Sequence, residues 1–274
     1  MDIAREIAII TLVKEQTRVL TNSKPAISII LPVLNEAGKI NELITHLRGL
    51  RFDAAREIIV VDGDPRGGTI TAIRDSGVIT SIAEKGRARQ MNRGASFASG
   101  DVLLFLHADT FLSADALERV KATMDDDRYA AGAFDLGIHT ERRIFRVTEK
   151  YVALRTRLAR VPFGDQAIFV RKDYFNSIGG YKDIPLMEDV ELMRRIRKRG
   201  DKIFIIPEQA MTSARRWEKE GILYCTLRNW ALQLSYALGV PPERLAKWYK
   251  RAEEPGDFRP PPDPNKPESE QQKT

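Results

Sequence analysis

The sequence has a single cysteine, Cys225, among 274 residues. A disulfide needs two thiols and a cysteine-rich zinc site needs more, so both are excluded within the chain. The count is typical of proteins from a reducing compartment. Long hydrophobic runs are also lacking, because the apolar stretch at 7–13 is too short to span a bilayer. With no secretory signal before the first predicted strand, the sequence predicts a cytoplasmic protein.

A strong excess of either charge is missing too. Lys and Arg number 44 against 38 Asp and Glu, which gives a net charge of +6. The basic residues fall in predicted helices and not in one arm with interleaved aromatics, and no nucleic-acid module is present, so we expect no nucleic-acid partner. A mild positive excess suits a protein that binds phosphorylated small molecules or rests on an anionic membrane surface.

The first 130 residues alternate between apolar strands and helices. Residues 1–24 are predicted to form an amphipathic helix and a polar linker, with Ile3, Ile7 and Ile10 at helical spacing. The strands are predicted at 27–31, 57–61, 78–82 and 102–106, and the helices at 38–50, 66–76 and 87–99. This order predicts an α/β fold with a mostly parallel central sheet covered by helices on both faces.

The pattern loosens after residue 130. A strand is predicted at 167–170, a helix at 186–199, a strand at 202–206, a long amphipathic helix at 221–238 and a C-terminal helix at 241–252. Residues 253–274 are Pro-rich and polar, which predicts a disordered tail. The terminal helices are candidates for contact with a membrane surface, peripherally, or with a second copy in a homodimer.

Polar side chains follow each strand of the first half, where ligands bind in parallel sheets. The strand ends carry Pro32, Asn35 and Glu36, then Asp62 and Asp64, then 84–87, and finally 107–109. Two of these are acidic clusters, which indicates a binding site along this edge.

Several ordered motifs resemble those of the inverting family 2 glycosyltransferases of the GT-A fold, which is Rossmann-like and binds nucleotide-diphospho-sugars. The similarity covers residues 26–240 and is closest to the bacterial radical-SAM/selenodomain-associated subgroup. The matching stretches are 30–36, 60–63, 86–92, 106–110, 164–166, 179–181, 186–192 and 213–217. The resemblance implies a glycosyltransferase domain at 25–240, with a nucleotide-binding half at 25–130 and an acceptor half at 131–240.

Two motifs depart from the family pattern. The second strand ends in Asp62-Gly63-Asp64-Pro65, where the family usually has Asp-Asp-Gly-Ser or Asp-Gly-Gly-Ser. The usual Asp-x-Asp metal motif is His107-Ala108-Asp109 here. The resemblance implies that Asp109 holds Mn²⁺ or Mg²⁺ at the donor diphosphate, with His107 as a second candidate ligand. Imidazole is a borderline ligand, which favours manganese.

The resemblance also assigns the donor contacts. Glu36 and Asp62 would accept hydrogen bonds from the base and ribose of a UDP- or GDP-linked sugar. Arg215, Arg216 and Trp217 resemble the element that closes over the donor. Helical spacing places Arg87 and Gln90 on one face, where Arg87 would meet the phosphates; an ordinary solvated face is the alternative.

For the acceptor side, the resemblance points to Gly164, Asp165 and Gln166. It implies that Asp189 is the general base and that Glu188 shapes the acceptor pocket, although acidic residues at a helix start are usually dipole partners. A displacement with inversion needs a carboxylate on the attacking side.

The predicted function is therefore transfer of a sugar to an unidentified acceptor hydroxyl. A sugar-phosphate nucleotidyltransferase would need a Gly-rich loop after the first strand, where this chain has Pro32-Val33-Leu34-Asn35-Glu36. A nucleotide-sugar-binding protein without catalysis is the other alternative.

Overall fold

In the computed structural model, the described residues are 26–140, 142–214, 217 and 220–253. The predicted N-terminal helix at 1–24 and the tail from 254 onward lie outside them. So do Arg215 and Arg216.

One mixed sheet runs through the described chain, in the order β3-β2-β1-β4-β7-β6-β8-β5. Its strands are β1 (Ile27–Val33), β2 (Arg56–Asp62), β3 (Ile79–Ile82), β4 (Val102–Phe105), β5 (Thr110–Phe111), β6 (Tyr129–His139), β7 (Phe169–Arg171) and β8 (Lys202–Ser213). The strands β3, β2, β1 and β4 are parallel, and β6 is parallel to β8. The short β7 is antiparallel to both β4 and β6 and joins the two parallel groups.

Helices cover both faces of this sheet. They are α1 (Ile40–Gly49), α2 (Arg87–Phe97), α3 (Ala116–Met124), α4 (Ile144–Ala159), α5 (Lys172–Ser177), α6 (Glu188–Lys198), α7 (Ile222–Ala237) and α8 (Pro242–Glu253). Side chains of α1 and α3 pack on one face together with Ile29 and Leu31 of β1. Side chains of α2 and α6 pack on the other face with Ile30. The α/β fold predicted from sequence is confirmed, and burial of both faces explains why β1 is a continuous apolar run.

Two local predictions differ from the structure, and two long elements were not predicted. The helix predicted at 66–76 is only a 3-10 turn, Ile70–Ala72, because Gly67 takes a left-handed φ of 63° and turns the chain. The strand predicted at 202–206 continues to Ser213. Neither β6 nor α4 was predicted from the sequence, since Asp135 and Glu149 interrupt their apolar patterns while lying buried in the fold.

Candidate active site

The carboxyl ends of β1, β2 and β4 meet along one edge of the sheet. Val33 lies opposite Asp62 in the β1–β2 register, and β4 lies on the other side of β1. The structure thus brings together the segments that carry Pro32, Asn35 and Glu36, Asp62, and His107 to Asp109. Asn35 takes a left-handed φ of 59° in the loop after β1.

Asp62 is buried and organises two of these loops. Its carboxylate accepts backbone N–H bonds from Asp64 at 2.9 Å and from Thr69 at 2.8 Å. The Thr69 hydroxyl in turn accepts the N–H of Glu36 at 3.1 Å. Both Asp62 oxygens are therefore engaged in fixing the backbone of the loops that follow β1 and β2.

Gln90 has a different place from the one predicted. Its side-chain amide is buried and donates to the carbonyl of Val33 at 2.8 Å and to that of Val61 at 2.9 Å. Backbone carbonyls near the end of a strand need hydrogen-bond donors where the pairing of the sheet stops. The side-chain amide of Gln90 on α2 is such a donor for both β1 and β2. The prediction that Gln90 shares an exposed face with Arg87 is wrong, because α2 presents Arg87 to solvent and Gln90 to the sheet.

The segment after β4 meets the second half of the chain at Gly164. A Cβ atom on Gly164 would lie 2.8 Å from Nε2 of His107 and 3.3 Å from Oδ2 of Asp189. The Gly164 N–H donates to that Asp189 oxygen at 2.6 Å. His107 and Asp189 therefore flank the same glycine, although 82 positions separate them in the sequence. Ala108, next to His107, packs against the core.

Gln166 ends the short 3-10 turn Gly164–Gln166 and is fully buried. Its amide donates to the Phe134 carbonyl at 3.0 Å, and its side-chain oxygen accepts the Phe163 N–H at 3.0 Å. The prediction that Gln166 faces the acceptor is not met, because these bonds direct it into the protein. It holds the turn that presents Gly164 and Asp165.

Glu188 and Asp189 begin α6, directly after Met187 in a left-handed conformation with φ of 66°. Glu188 is only 6% exposed. Burial raises the pKa of Glu188 to about 7, and repulsion from Asp189 adds to the rise, while Arg87 opposes it. At neutral pH this carboxyl group is therefore partly protonated.

Asp165 is a third acidic group in the same cleft. One oxygen, Oδ1, is buried and has no hydrogen-bond partner among the described residues. Burial raises the pKa of Asp165 to about 6; Asp189 and Asp109 repel its charge, whereas Arg155 and Arg87 attract it. The interactions place Asp109, Asp165 and Asp189 within one electrostatic neighbourhood.

Two arginines balance these acids. Desolvation by itself would lower the pKa of Arg87, but the nearby carboxylates, Glu188 and Asp189 first, raise it. The Arg87 side chain stays open to solvent, so it lies inside an open cleft. Arg155 of α4 lies 3.8 Å above the Phe163 ring and is attracted by Asp165 and Asp189. Arg155 was not predicted from the sequence, although the helical spacing in 144–159 could have drawn attention to it.

Trp217 packs against the core below β6. Its ring lies edge-on to that of Phe145, with centroids 6.1 Å apart. This contact gives Trp217 a packing role, and its two arginine neighbours lie outside the described residues.

A divalent cation in this cleft would need oxygen atoms from a bound molecule in addition to the side chains of the protein. The described residues contain no cluster of three or more His, Cys, Asp or Glu side chains able to hold a metal. Asp109 and His107 offer one oxygen and one nitrogen, and hard cations fill the rest of their shell with further oxygens. The donor set therefore suits a cation shared with a diphosphate.

Within the described ranges, no helix is both long and apolar enough to cross a bilayer.

The sequence profile of glycosyl transferase family 2 matches residues 28–181, more than half of the chain. Two uncharacterized glycosyltransferases of Mycobacterium tuberculosis, from strains CDC 1551 and H37Rv, are each 27% identical over 187 residues. Those alignments cover 63% of this chain and 69% of each relative.

Solved structures share the fold. The mannosyltransferase PcManGT from Pyrobaculum calidifontis, in complex with GDP-Man and Mn²⁺, aligns with a TM-score of 0.58 at 18% identity, over 94% of this chain and 75% of that one. TarS 1-349 of S. aureus, in complex with UDP, aligns with a TM-score of 0.53 at 15% identity, over 68% of this chain and 60% of that one. The family match and the GT-A architecture together show that this chain belongs to glycosyl transferase family 2 and is a glycosyltransferase that uses a nucleotide-sugar donor.

Proposed function

We propose that the chain is an inverting glycosyltransferase that moves a sugar from a UDP- or GDP-linked donor to an acceptor hydroxyl. The convergence of His107 and Asp189 on Gly164 is the observation that carries this proposal. It joins the segment expected to hold the donor phosphates to a carboxylate on the opposite half of the site.

On the donor side, Asp109 with His107 would hold Mn²⁺ or Mg²⁺. Such a cation stabilises the negative charge that develops on the departing diphosphate. Arg87 adds positive charge within the cleft. The complexes of the two structural relatives, one with GDP-Man and Mn²⁺ and one with UDP, support this choice of donor and cation.

The base and ribose would lie against the loops after β1 and β2, which carry Pro32, Asn35 and Glu36. Glu36 and Asp62 would accept hydrogen bonds from the base and ribose, and Asp62 also fixes the loops through Thr69 and Asp64. We retain Arg215, Arg216 and Trp217 as the element that closes over the donor, following the family pattern.

Asp189 is the proposed general base. The Gly164 N–H orients its carboxylate, which takes the proton of the acceptor hydroxyl as the oxygen–C1 bond forms. The bond from C1 to the phosphate oxygen breaks on the other face, and the nucleoside diphosphate leaves with its electron pair. Attack opposite the leaving group inverts the anomeric configuration.

In this proposal, the donor and acceptor sites are formed by successive parts of the chain. Residues 25–130 bind the donor, and residues 131–240 supply the acceptor side with Gly164, Asp165, Glu188 and Asp189. The ordered sequence motifs also support placement in the radical-SAM/selenodomain-associated subgroup.

Replacement of the base tests the mechanism. Asp189→Asn should lower transfer by about two to four orders of magnitude, the usual worth of a positioned base, while donor affinity stays near that of the parent. Asp173→Asn is the matched control, because Asp173 also lies in the first turn of a helix and is exposed. Near-normal transfer by Asp189→Asn, or a product that retains the donor configuration, would refute the assignment.

A panel of UDP- and GDP-sugars, incubated with and without manganese, tests the class of activity. We expect slow, manganese-dependent loss of the sugar from one donor to water. Binding of a nucleotide sugar with neither hydrolysis nor transfer would favour the non-catalytic alternative.

A further inference from the structure

Two helices carry an exposed apolar surface that the proposed reaction does not use. On α4 the exposed residues recur every three or four positions: Ile144, Val147, Tyr151, Leu154 and Leu158. On α7 they are Leu227, Trp230, Leu234 and Leu238 at its end. Leu158 is 78% exposed and Leu238 is 74% exposed. Together these nine residues form the apolar patch.

The two halves of the apolar patch are continuous. The rings of Tyr151 and Trp230 touch, with centroids 4.9 Å apart. Arg155 of α4 also donates to the side-chain oxygen of Gln233 on α7 at 3.0 Å. On the opposite side of α4, Phe145 and Thr156 are fully buried. The stripe on α4 therefore faces solvent because the helix already has another face in the core.

The α4 segment is strongly basic. Between positions 142 and 160 it has seven Arg or Lys residues and one acid, Glu149. Glu149 is buried and pairs with Arg146 at 2.9 Å. Arg143 and Lys150 are exposed and stand two turns apart beside the apolar stripe. Neither has an acidic partner within the described part of the chain.

We propose that the apolar patch docks on the surface of a lipid bilayer that contains anionic lipids. An apolar stripe flanked by Arg and Lys is the pattern of helices that lie in the plane of a membrane interface. Leu and Trp enter the boundary of the acyl chains, and the cations stay among the headgroups.

Charge argues against a second copy as the occupant. A two-fold dimer places the same surface on both sides of its interface. Two copies of α4 would then bring Arg143 and Lys150 of both copies together, and the described residues provide no acidic partner for either, whereas anionic lipid headgroups supply the opposite charge.

The apolar patch also adjoins the cleft. Arg155, which bonds Gln233 on α7, is attracted by Asp165 and Asp189 inside the cleft. Docking would hold the acceptor half close to the bilayer. Vesicle binding needs neither donor nor transfer, so its test is independent of the proposed function.

The test is co-sedimentation of the full chain with vesicles of phosphatidylcholine alone and with added phosphatidylglycerol. We expect binding to the anionic vesicles, and at least tenfold weaker binding by the double variant Leu154→Gln with Leu158→Gln. The control is Phe97→Gln, because Phe97 is also an exposed apolar residue but lies on α2. It should bind like the parent.

A second pair of substitutions tests the charge separately. Arg143→Gln with Lys150→Gln should weaken binding to the anionic vesicles several-fold and reduce its dependence on salt. Unchanged vesicle binding by both double variants would overturn the proposal. So would a parent chain that sediments as a dimer in the ultracentrifuge and becomes monomeric with Leu154→Gln and Leu158→Gln, because a second copy would then cover the patch.

Discussion

Glu188 and Asp189 are neighbours in the sequence but occupy different surroundings. Glu188 turns into the protein and is nearly inaccessible, whereas Asp189 is half-buried and reaches the Gly164 N–H. Two adjacent carboxyl groups thus differ in their properties, because burial raises the pKa of Glu188 whereas Asp189 reaches the backbone of the facing turn. The environment sets this difference, as it does in other sites with paired carboxyl groups.

The buried Glu188 makes stability depend on pH. Its pKa is raised from 4.5 in the unfolded chain to about 7 in the fold. Between those values the unfolded chain has released the proton and the folded chain keeps it, so a rise in pH favours unfolding. We expect the stabilisation present below pH 4.5 to be lost by pH 7, a change of about 3 kcal/mol.

Glu188→Gln should flatten this decline in urea unfolding measured from pH 5 to 7 without metal or donor. Asp165 acts in the same direction, so a smaller slope remains. The exposed Glu118→Gln serves as control and should keep the slope of the parent. An equally steep decline in Glu188→Gln would contradict the assigned pKa.

Gly164 has no room for a side chain. In Gly164→Ala the new methyl group would press on Nε2 of His107 and Oδ2 of Asp189. We expect transfer to fall about ten- to a hundredfold, because small displacements of reacting groups are costly. Steady-state kinetics should be compared with Gly38→Ala, where nothing lies within 4 Å of the added methyl group. Parent-like kcat in Gly164→Ala would show that the two side chains can move apart freely.

At the scale of the elements, α8 is part of the folded core. Leu245 and Trp248 are buried against Leu232 of α7. The Tyr249 ring lies 4.7 Å from the guanidinium of Arg228, which is fully buried and paired with Glu220. The helix predicted at 241–252 is therefore more than an appendage.

Two truncated chains test the contributions of α8 and of the tail to stability separately. A chain ending at Glu253 should unfold at the same urea concentration as the parent, since the polar tail has little apolar surface to bury. A chain ending at Val240 should lose about 3–6 kcal/mol, from exposure of Leu245 and Trp248 contacts. Equal stability of the two truncated chains would mean that α8 does not dock.

Sequence patterns predict the first half of the fold better than the second. The strands β1, β2 and β4 are buried on both faces, so they appear as apolar runs that local composition identifies. In β6, the buried Asp135 breaks such a run and is neutralised by Arg157 at 2.6 Å, a partner from another element. Local patterns contain no information about such distant partners.

The same limit explains which site residues are misplaced. Motifs identify Asp109 and Asp189, and the structure brings their segments together. Sequence patterns assign Gln90 and Gln166 to ligand contacts, but each satisfies backbone groups that only the folded chain brings near. Whether a glutamine faces a ligand or a carbonyl depends on where neighbouring strands end, which spacing along one helix cannot show.

At the scale of the whole molecule, one eight-stranded sheet contains strands from both halves of the described chain, before and after residue 130. A Cβ atom on Gly94 of α2 would lie 2.4 Å from Cγ2 of Ile30, and one on Gly132 of β6 would lie 2.7 Å from the Phe204 carbonyl oxygen. A methyl group at either glycine would force a shift in one half only. A continuous sheet should nevertheless unfold in one transition.

All three tryptophans, Trp217, Trp230 and Trp248, lie in the C-terminal part of the chain. Gly94→Ala should therefore lower the urea midpoint of unfolding measured by tryptophan fluorescence, although the substitution is in the first half of the chain. Gly132→Ala should also lower it. Each substitution should reduce the free energy of unfolding by about 1–3 kcal/mol. If Gly94→Ala left the midpoint measured by tryptophan fluorescence unchanged, the two halves of the chain would be units that unfold independently.

The position of β7 between the two parallel groups has a consequence during synthesis. The strand β4, Val-Leu-Leu-Phe, is buried on both sides in the finished sheet, yet its neighbour β7 begins more than sixty residues later. At the usual pace of translation, roughly 3 to 13 seconds pass before that strand exists. Throughout that interval the nascent chain presents an unpaired, wholly apolar strand edge, which is the form of surface that aggregates or recruits chaperones.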